Sequence, residues 1–342
     1  MKAFTIRAPF QVAFRELPEP EIEADEVLLR VEFVGLCGSD LNTFRGLNPL
    51  ITLPRIPGHE ISASIVRKGA RVPAYWQEGQ SVTVSPYTSC GHCPSCLALR
   101  SNCCQFNQTL GVQRDGALTE FIKVPHEKLF AADGLEPAAI ALVEPLTVGG
   151  HAADRSGADE DAIAVVIGCG AVGLGAVLGL AQKNCRKVVA VDVDADKLAL
   201  ARDFGATATI QSNVEDLHQR LADLSDGHGP NVVIEAVGLA QTFRTAVDEV
   251  AFAGCVTYIG YAKAPVEYET KVFVQKELDI RGSRNAMAVN FRRVIAAARQ
   301  RAFPAEKMIT RIYPFAAVGD ALRDWDAAPG RVCRYLIHVG GK

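Results

Sequence analysis

Four cysteines in the stretch Cys90-Gly-His-Cys93-Pro-Ser-Cys96, completed by Cys104, have the spacing of a metal site. The array C-x2-C-x2-C-x7-C can wrap one tetrahedral zinc in four thiolates, the closed arrangement of a structural site. Thiols three residues apart on a Gly/Pro/Ser turn converge on one point, which suits a metal better than disulfides. Cys103, next to Cys104, competes for the fourth place. The chain opens as MKAFTIRAPF, with no charged segment leading into an apolar one. A cytoplasmic protein is therefore expected, its cysteines reduced and available as ligands.

A second signal lies where apolar residues are densest. Ile163 to Ala181 (IAVVIGCGAVGLGAVLGLA) is long enough to span a bilayer, but glycines at 168, 170, 173, 175 and 179 interrupt it. The first three spell Gly168-Cys-Gly170-Ala171-Val172-Gly173, directly after the strand-like AIAVVI. A buried helix and then a second buried strand, KVVAVDVD, follow. In such a unit Gly168 makes the tight turn, Gly170 lets backbone approach a pyrophosphate, and Gly173 lets helix pack closely on strand. The helix start at Ala171 and Val172 presents free N–H groups to the phosphates. Asp192 ends the second strand, where a carboxylate accepts hydrogen bonds from ribose hydroxyls and repels a 2′-phosphate, so NAD is expected over NADP. Asp194 and Asp196 are competing carboxylates and Lys197 a competing cation. A plain strand-end cap is the alternative role for Asp192.

These motifs need elements to hold them. The 342 residues, 49% hydrophobic and 22% charged, are enough for about two domains with large cores. A net charge of −3 with no basic stripe argues against nucleic acid as a partner, and no membrane role is expected. Strand and helix patterns alternate to about residue 260 and predict a doubly wound parallel α/β domain over 150–285. Before it, short strands punctuated by Pro and Gly (KAFTIRA, QVAFREL, EVLLRVEFVG, ISASIVRKG, QSVTVSPY, FIKVP) read as a β-rich, barrel-like domain. After it, AVNFRRVIAAARQR reads as a helix and CRYLIHV as a strand returning to that domain.

The β-rich part carries a second candidate metal constellation. Cys37 stands at the end of EVLLRVEFVG, His59-Glu60 follow the Pro57-Gly58 turn, and Glu144-Pro145 end the domain. Thiolate, imidazole and carboxylate are ligands that zinc accepts, and three protein ligands leave a position open for substrate. Taken singly, each residue is as readily structural.

Taken together, Gly35-Leu-Cys37-Gly38-Ser39-Asp40, Pro57-Gly58-His59-Glu60, Glu144-Pro145, the thiolate lobe and the glycine fingerprint with Asp192 resemble the zinc-dependent medium-chain dehydrogenases, the sorbitol (polyol) dehydrogenase branch in particular. Ser101-Asn102-Cys103-Cys104 and Gly282-Ser283-Arg284-Asn285-Ala286 are similar to bacterial sugar-acid dehydrogenases of the L-galactonate 5-dehydrogenase type. The resemblance implies a GroES-like catalytic domain over 1–149 and 286–342 with a zinc lobe at 87–107, and a Rossmann domain between. It implies NAD, a catalytic zinc on Cys37, His59, Glu60 and Glu144, and a structural zinc on Cys90, Cys93, Cys96 and Cys104. Glu60 either ligates directly, acts through water, or orients the site. The resemblance also implies Ser39 as a hydroxyl relay, Arg284 and Asn285 at the substrate, and a homo-oligomer, dimer or tetramer. Asn42 stands where family members commonly carry a His able to shuttle a proton. The expected reaction is oxidation of a secondary hydroxyl of a small sugar acid or polyol. A polyol, threonine or simple alcohol dehydrogenase is the alternative within the class; a zinc-free quinone or enoyl reductase and a non-catalytic NADPH-binding protein are those outside it.

Overall fold

The sequence IAVVI at Ile163–Ile167 is buried at every position, as a parallel strand covered on both faces must be. It belongs to a six-stranded sheet. From edge to edge the strands are Ala208–Gln211, Lys187–Asp192, Ile163–Ile167, Val232–Glu235, Cys255–Tyr258 and Asp279–Gly282, all pairings parallel. Helices Ala171–Gln182, Ala195–Asp203, Leu217–Leu224 and Ala240–Glu249 connect them. Strand order reverses between Ile163–Ile167 and Val232–Glu235, so a crevice opens beyond the carboxyl ends of these two strands, the usual ligand position in such sheets.

The computed structural model describes residues 1–340, so the last two residues of the expected segment 286–342 lie outside the described residues. The chain divides into two compact units: Met1–Glu144 with Phe291–Gln300 and the chain from Ala305 onward, and Pro145–Asn290 with Arg301–Pro304. The parallel sheet is the framework of the second. Among the described residues no helix is long and apolar enough to cross a membrane; the apolar run from Ile163 breaks at the Gly168 turn into a strand and a twelve-residue helix.

The first unit is organised by one long strand, Glu26–Leu36, which pairs antiparallel with Glu60–Lys68, Phe121–Pro125 and Arg334–His338. Ile309–Pro314, Ser81–Val84 and Leu129–Ala131 extend the sheet to seven strands. A hairpin of Lys2–Ala8 and Gln11–Glu16 stands beside it. Phe4, Leu29, Val34, Ile61, Ile65 and Ile337 are among the buried core side chains. Three strands escaped the sequence reading: Leu129–Ala131, only three residues long, and the pair Ile309–Pro314 and Asp279–Gly282. The last two are edge strands with mostly exposed or half-exposed side chains, so neither shows the apolar run or strict alternation by which strands are read.

Candidate metal centre and dinucleotide crevice

Cys37 does not merely end the strand Glu26–Leu36. It caps the short helix Gly38–Phe44, and its N–H donates to Asp40 Oδ2 at 2.8 Å. The other oxygen of the buried Asp40 accepts from Gly58 N–H at 3.3 Å, so one carboxylate ties the Cys37 turn to the turn preceding His59. Glu60 pairs with Gly35 across the two strands. A Cβ at Gly35 would fall 2.1 Å from Glu60 Oε2, so only glycine leaves room for that carboxylate. Ligand atoms of Cys37, His59 and Glu60 all lie within 4.8 Å of one another. Glu144 is outside this group, in the first turn of the helix Val143–Ser156, where Tyr87 Oη donates to it. Its charge nonetheless acts on both His59 and Glu60.

The charges here are crowded and little compensated. Burial opposes ionisation of the Cys37 thiol, but the hydrogen bond and charge of His59, with Arg334, outweigh it and bring the thiol from 9.0 down to about 7. Burial drives Glu60 well above the ordinary carboxylate range even though Arg334 opposes it. Arg334 Nη1 lies 3.1 Å from Glu60 Oε1, off the line of a hydrogen bond, and donates to Leu36 O at 2.7 Å. Both oxygens of Glu60 and Nδ1 of His59 are buried without a hydrogen-bond partner. Buried polar atoms are rarely left so. A thiolate, an imidazole and carboxylates with spare lone pairs fit a zinc ion, whose two positive charges would answer those on the ligands.

The thiolate lobe is built differently. Cys90, Cys93, Cys96 and Cys104 bring their sulfurs within 4.8 Å of one another. Backbone N–H groups turn toward sulfur, Cys93 N to Cys90 Sγ at 3.3 Å and Cys90 N to Cys104 Sγ at 3.4 Å. The Ser95 hydroxyl and neighbouring N–H groups bring the Cys93 thiol down to about 5, whereas burial raises Cys96 to about 11. Cys103 stands apart, accepting from Arg100 Nη2 at 3.8 Å. This set also fits zinc, as a closed tetrahedral site.

In the second unit Gly168 adopts φ +96°, and a Cβ at Gly173 would sit 1.8 Å from the Gly168 carbonyl oxygen. Around Gly170 nothing lies within 4 Å of a Cβ position, leaving space over the start of the helix Ala171–Gln182. That helix has no side-chain cap and no acidic residue in its first turn, so the N–H groups near Ala171 and Val172 remain for a ligand. The residues fit a dinucleotide pyrophosphate. Asp192 is engaged already: Oδ2 accepts from Cys169 N at 2.7 Å and Oδ1 from Asp194 N at 3.0 Å. Carboxylate oxygens have further lone pairs to offer. Lys197 lies in the first turn of Ala195–Asp203, which Asp194 caps. Arg284 is exposed just beyond the strand Asp279–Gly282, and Asn285 beside it takes φ +54°. Ser39 Oγ is buried with no partner.

Asp40, Tyr87 and Arg334 were missed as functional residues. Asp40 sits three residues after Cys37, a capping distance readable in the sequence. Tyr87 and Arg334 carry no such signal.

Comparison with known proteins agrees with this geometry. The family models for an alcohol dehydrogenase GroES-like domain and for a zinc-binding dehydrogenase match residues 23–134 and 171–300. L-galactonate-5-dehydrogenase of Escherichia coli K12 is 32% identical over 306 residues, covering 90% of this chain and 89% of its own. The chain belongs to the zinc-type alcohol dehydrogenases. Two solved structures similar to this chain carry nucleotides. A zinc-binding dehydrogenase of Sinorhizobium meliloti, bound to NADP, superimposes with a TM-score of 0.91 at 30% identity over 99% of both chains. An alcohol dehydrogenase of E. coli CFT073, complexed with NADH, gives 0.91 at 29% identity, again over 99% of both. A zinc-type dehydrogenase with this crevice thus takes a nicotinamide cofactor.

Proposed function

We propose that this protein oxidises a secondary hydroxyl of a sugar acid or polyol, passing hydride to NAD, with one catalytic and one structural zinc per chain. The observation that carries the reading is the meeting of Cys37, His59 and Glu60 within 4.8 Å in a chain that also holds the glycine turn. Cys37 and His59 are the proposed anchors of the catalytic zinc, with Glu60 and Glu144 supplying carboxylate. When bound, zinc would polarise a substrate hydroxyl and NAD would accept the hydride. Asp40 fixes the two ligand-bearing turns, Arg334 holds Glu60, and Tyr87 orients Glu144. Ser39 is the candidate proton relay, its buried hydroxyl having no other partner. Arg284 offers a planar fork for a substrate carboxylate and Asn285 a hydroxyl partner.

Preference for NAD rests on Asp192, whose charge at the strand end disfavours a 2′-phosphate. Gly168, Gly170, Ala171, Val172 and Gly173 are the proposed pyrophosphate cradle, and Lys197, in the first turn of the helix after Asp192, is a further cofactor-binding residue. The likeness to L-galactonate-5-dehydrogenase, a relative named for a sugar acid, supports the substrate class. A cytoplasmic homo-oligomer, dimer or tetramer, completes the reading; ten cysteines with no disulfide among the described residues suit a reducing compartment. The test is NAD and NADP reduction across aldonates, alditols, threonine and simple alcohols, with zinc measured in the same sample. Turnover fastest on an aldonate with NAD supports the proposal. Turnover on simple alcohols alone, or none in zinc-loaded protein, contradicts it.

A further inference from the structure

Glu235 ends the strand Val232–Glu235, beside Ile163–Ile167 where strand order reverses. It is completely buried. Its Oε1 accepts three hydrogen bonds, from Val237 N at 2.9 Å, Gly238 N at 2.7 Å and Thr242 Oγ1 at 2.7 Å. Its carbonyl oxygen accepts from Ile259 N at 2.9 Å and Gly260 N at 3.3 Å, the first residues past the next strand. One residue therefore fastens two crossover segments at the crevice end of the sheet. The fit is tight on both. A Cβ at Gly260 would lie 2.5 Å from Glu235 Oε2, and one at Gly238, where φ is +86°, would lie 2.9 Å from Tyr261 O.

The segment so held abuts the phosphate-binding turn. Ala236 N donates to Ile167 O at 2.9 Å, and a Cβ at Gly168 would meet Val237 Cγ2 at 2.5 Å. Any shift of residues 236–238 is thus passed directly to Gly168. The second oxygen, Oε2, is buried with no partner at all. A carboxylate buried with one oxygen bare is a poor choice for stability alone, because burying charge without full compensation is costly. Such costs collect where geometry serves function.

We infer that Glu235 is a positioning residue for the dinucleotide: it sets the crossover segment Ala236–Gly238 against the Gly168 turn and so holds the pyrophosphate cradle in its binding shape. The inference rests on the dinucleotide reading above. Glu235 would act through Val237 and Gly168, touching neither cofactor nor substrate.

The test uses the full zinc-loaded chain and titrates NAD and NADP by calorimetry into wild type, Glu235→Gln and Thr242→Val. Glu235→Gln keeps shape and removes charge, while Thr242→Val removes one donor and leaves the carboxylate. For Glu235→Gln the Kd of the preferred dinucleotide should rise about tenfold, in line with weakened charge-assisted bonds. KM for the dinucleotide should rise with it, while kcat at saturation and the melting temperature without dinucleotide stay close to wild type. Thr242→Val should move Kd the same way by about threefold, less than Glu235→Gln because it removes one of three donors to Oε1 and leaves the carboxylate in place, and it decides the matter alone if Glu235→Gln does not fold. A melting temperature that falls while Kd holds, or an unchanged Kd in the folded variants, overturns the inference. If wild type binds neither dinucleotide, the dinucleotide reading itself fails.

Discussion

Two clusters in one unit offer metal ligands, and they are built on opposite plans. The lobe gathers four sulfurs from a short stretch, Cys90 to Cys104, and satisfies them locally with its own N–H groups. The mixed cluster gathers a thiol, an imidazole and a carboxylate from the ends of two paired strands, and recruits Asp40 and Arg334 to hold them. The lobe offers four like ligands and closes the shell. The mixed cluster offers unlike ligands, keeps buried lone pairs unused and relies on residues distant in sequence. A closed thiolate shell holds structure; a mixed, open one leaves a place for substrate.

The sharpest break in this comparison would come from Cys37→Ala and His59→Ala. Losing a Lewis acid worth several kcal/mol should cut kcat by about a thousandfold or more. NAD affinity, measured by calorimetry, should stay near wild type. Wild-type turnover in both variants would dissolve the distinction between the clusters.

Arg334→Leu tests whether the mixed cluster depends on its remote supports. Removing one partner of a buried ion pair costs about 3–5 kcal/mol, to be read from denaturant unfolding. Activity should fall as Glu60 loses its neighbour, and a stability within error of wild type would count against a supporting role.

How much of this was legible differed between the two clusters for a physical reason. The lobe and the glycine fingerprint are contiguous, so spacing alone displays them. The strands IAVVI and KVVAVDVD announce themselves because parallel strands are buried on both faces. Cys37, His59 and Glu60 carried a weaker signal, singly ambiguous and persuasive only in combination. Arg334 reaches Leu36 across 298 positions, and Tyr87 reaches Glu144 across 57. No local pattern encodes such meetings. Glu144, read as the end of its domain, is the last residue of the first unit's opening segment; the sequence did not show that it also lies in the first turn of a 14-residue helix, Val143–Ser156, where Pro145 is tolerated.

Two smaller effects sharpen the comparison on the substrate and cofactor side. Arg284→Gln should lower kcat/KM on an aldonate roughly a hundredfold, the equivalent of about 2–3 kcal/mol for a lost bidentate contact, and leave the matching alditol little changed. Equal losses on both would remove the carboxylate fork. Asp192→Ala should raise KM for NAD by about tenfold, the worth of one charge-assisted hydrogen bond, and that for NADP much less. A wild-type preference for NADP would refute this reading of Asp192.

The claim that one cluster is chemical and the other structural is tested most directly by measuring zinc per chain and melting temperature together in wild type, His59→Ala and Cys93→Ala. Wild type should hold two zinc ions. His59→Ala should hold one, melt close to wild type and be inactive. Cys93→Ala should also hold one but melt at a clearly lower temperature, because structural zinc binding is coupled to folding. Two zinc ions and an unchanged melting temperature in Cys93→Ala, or full zinc and turnover in His59→Ala, would contradict the account.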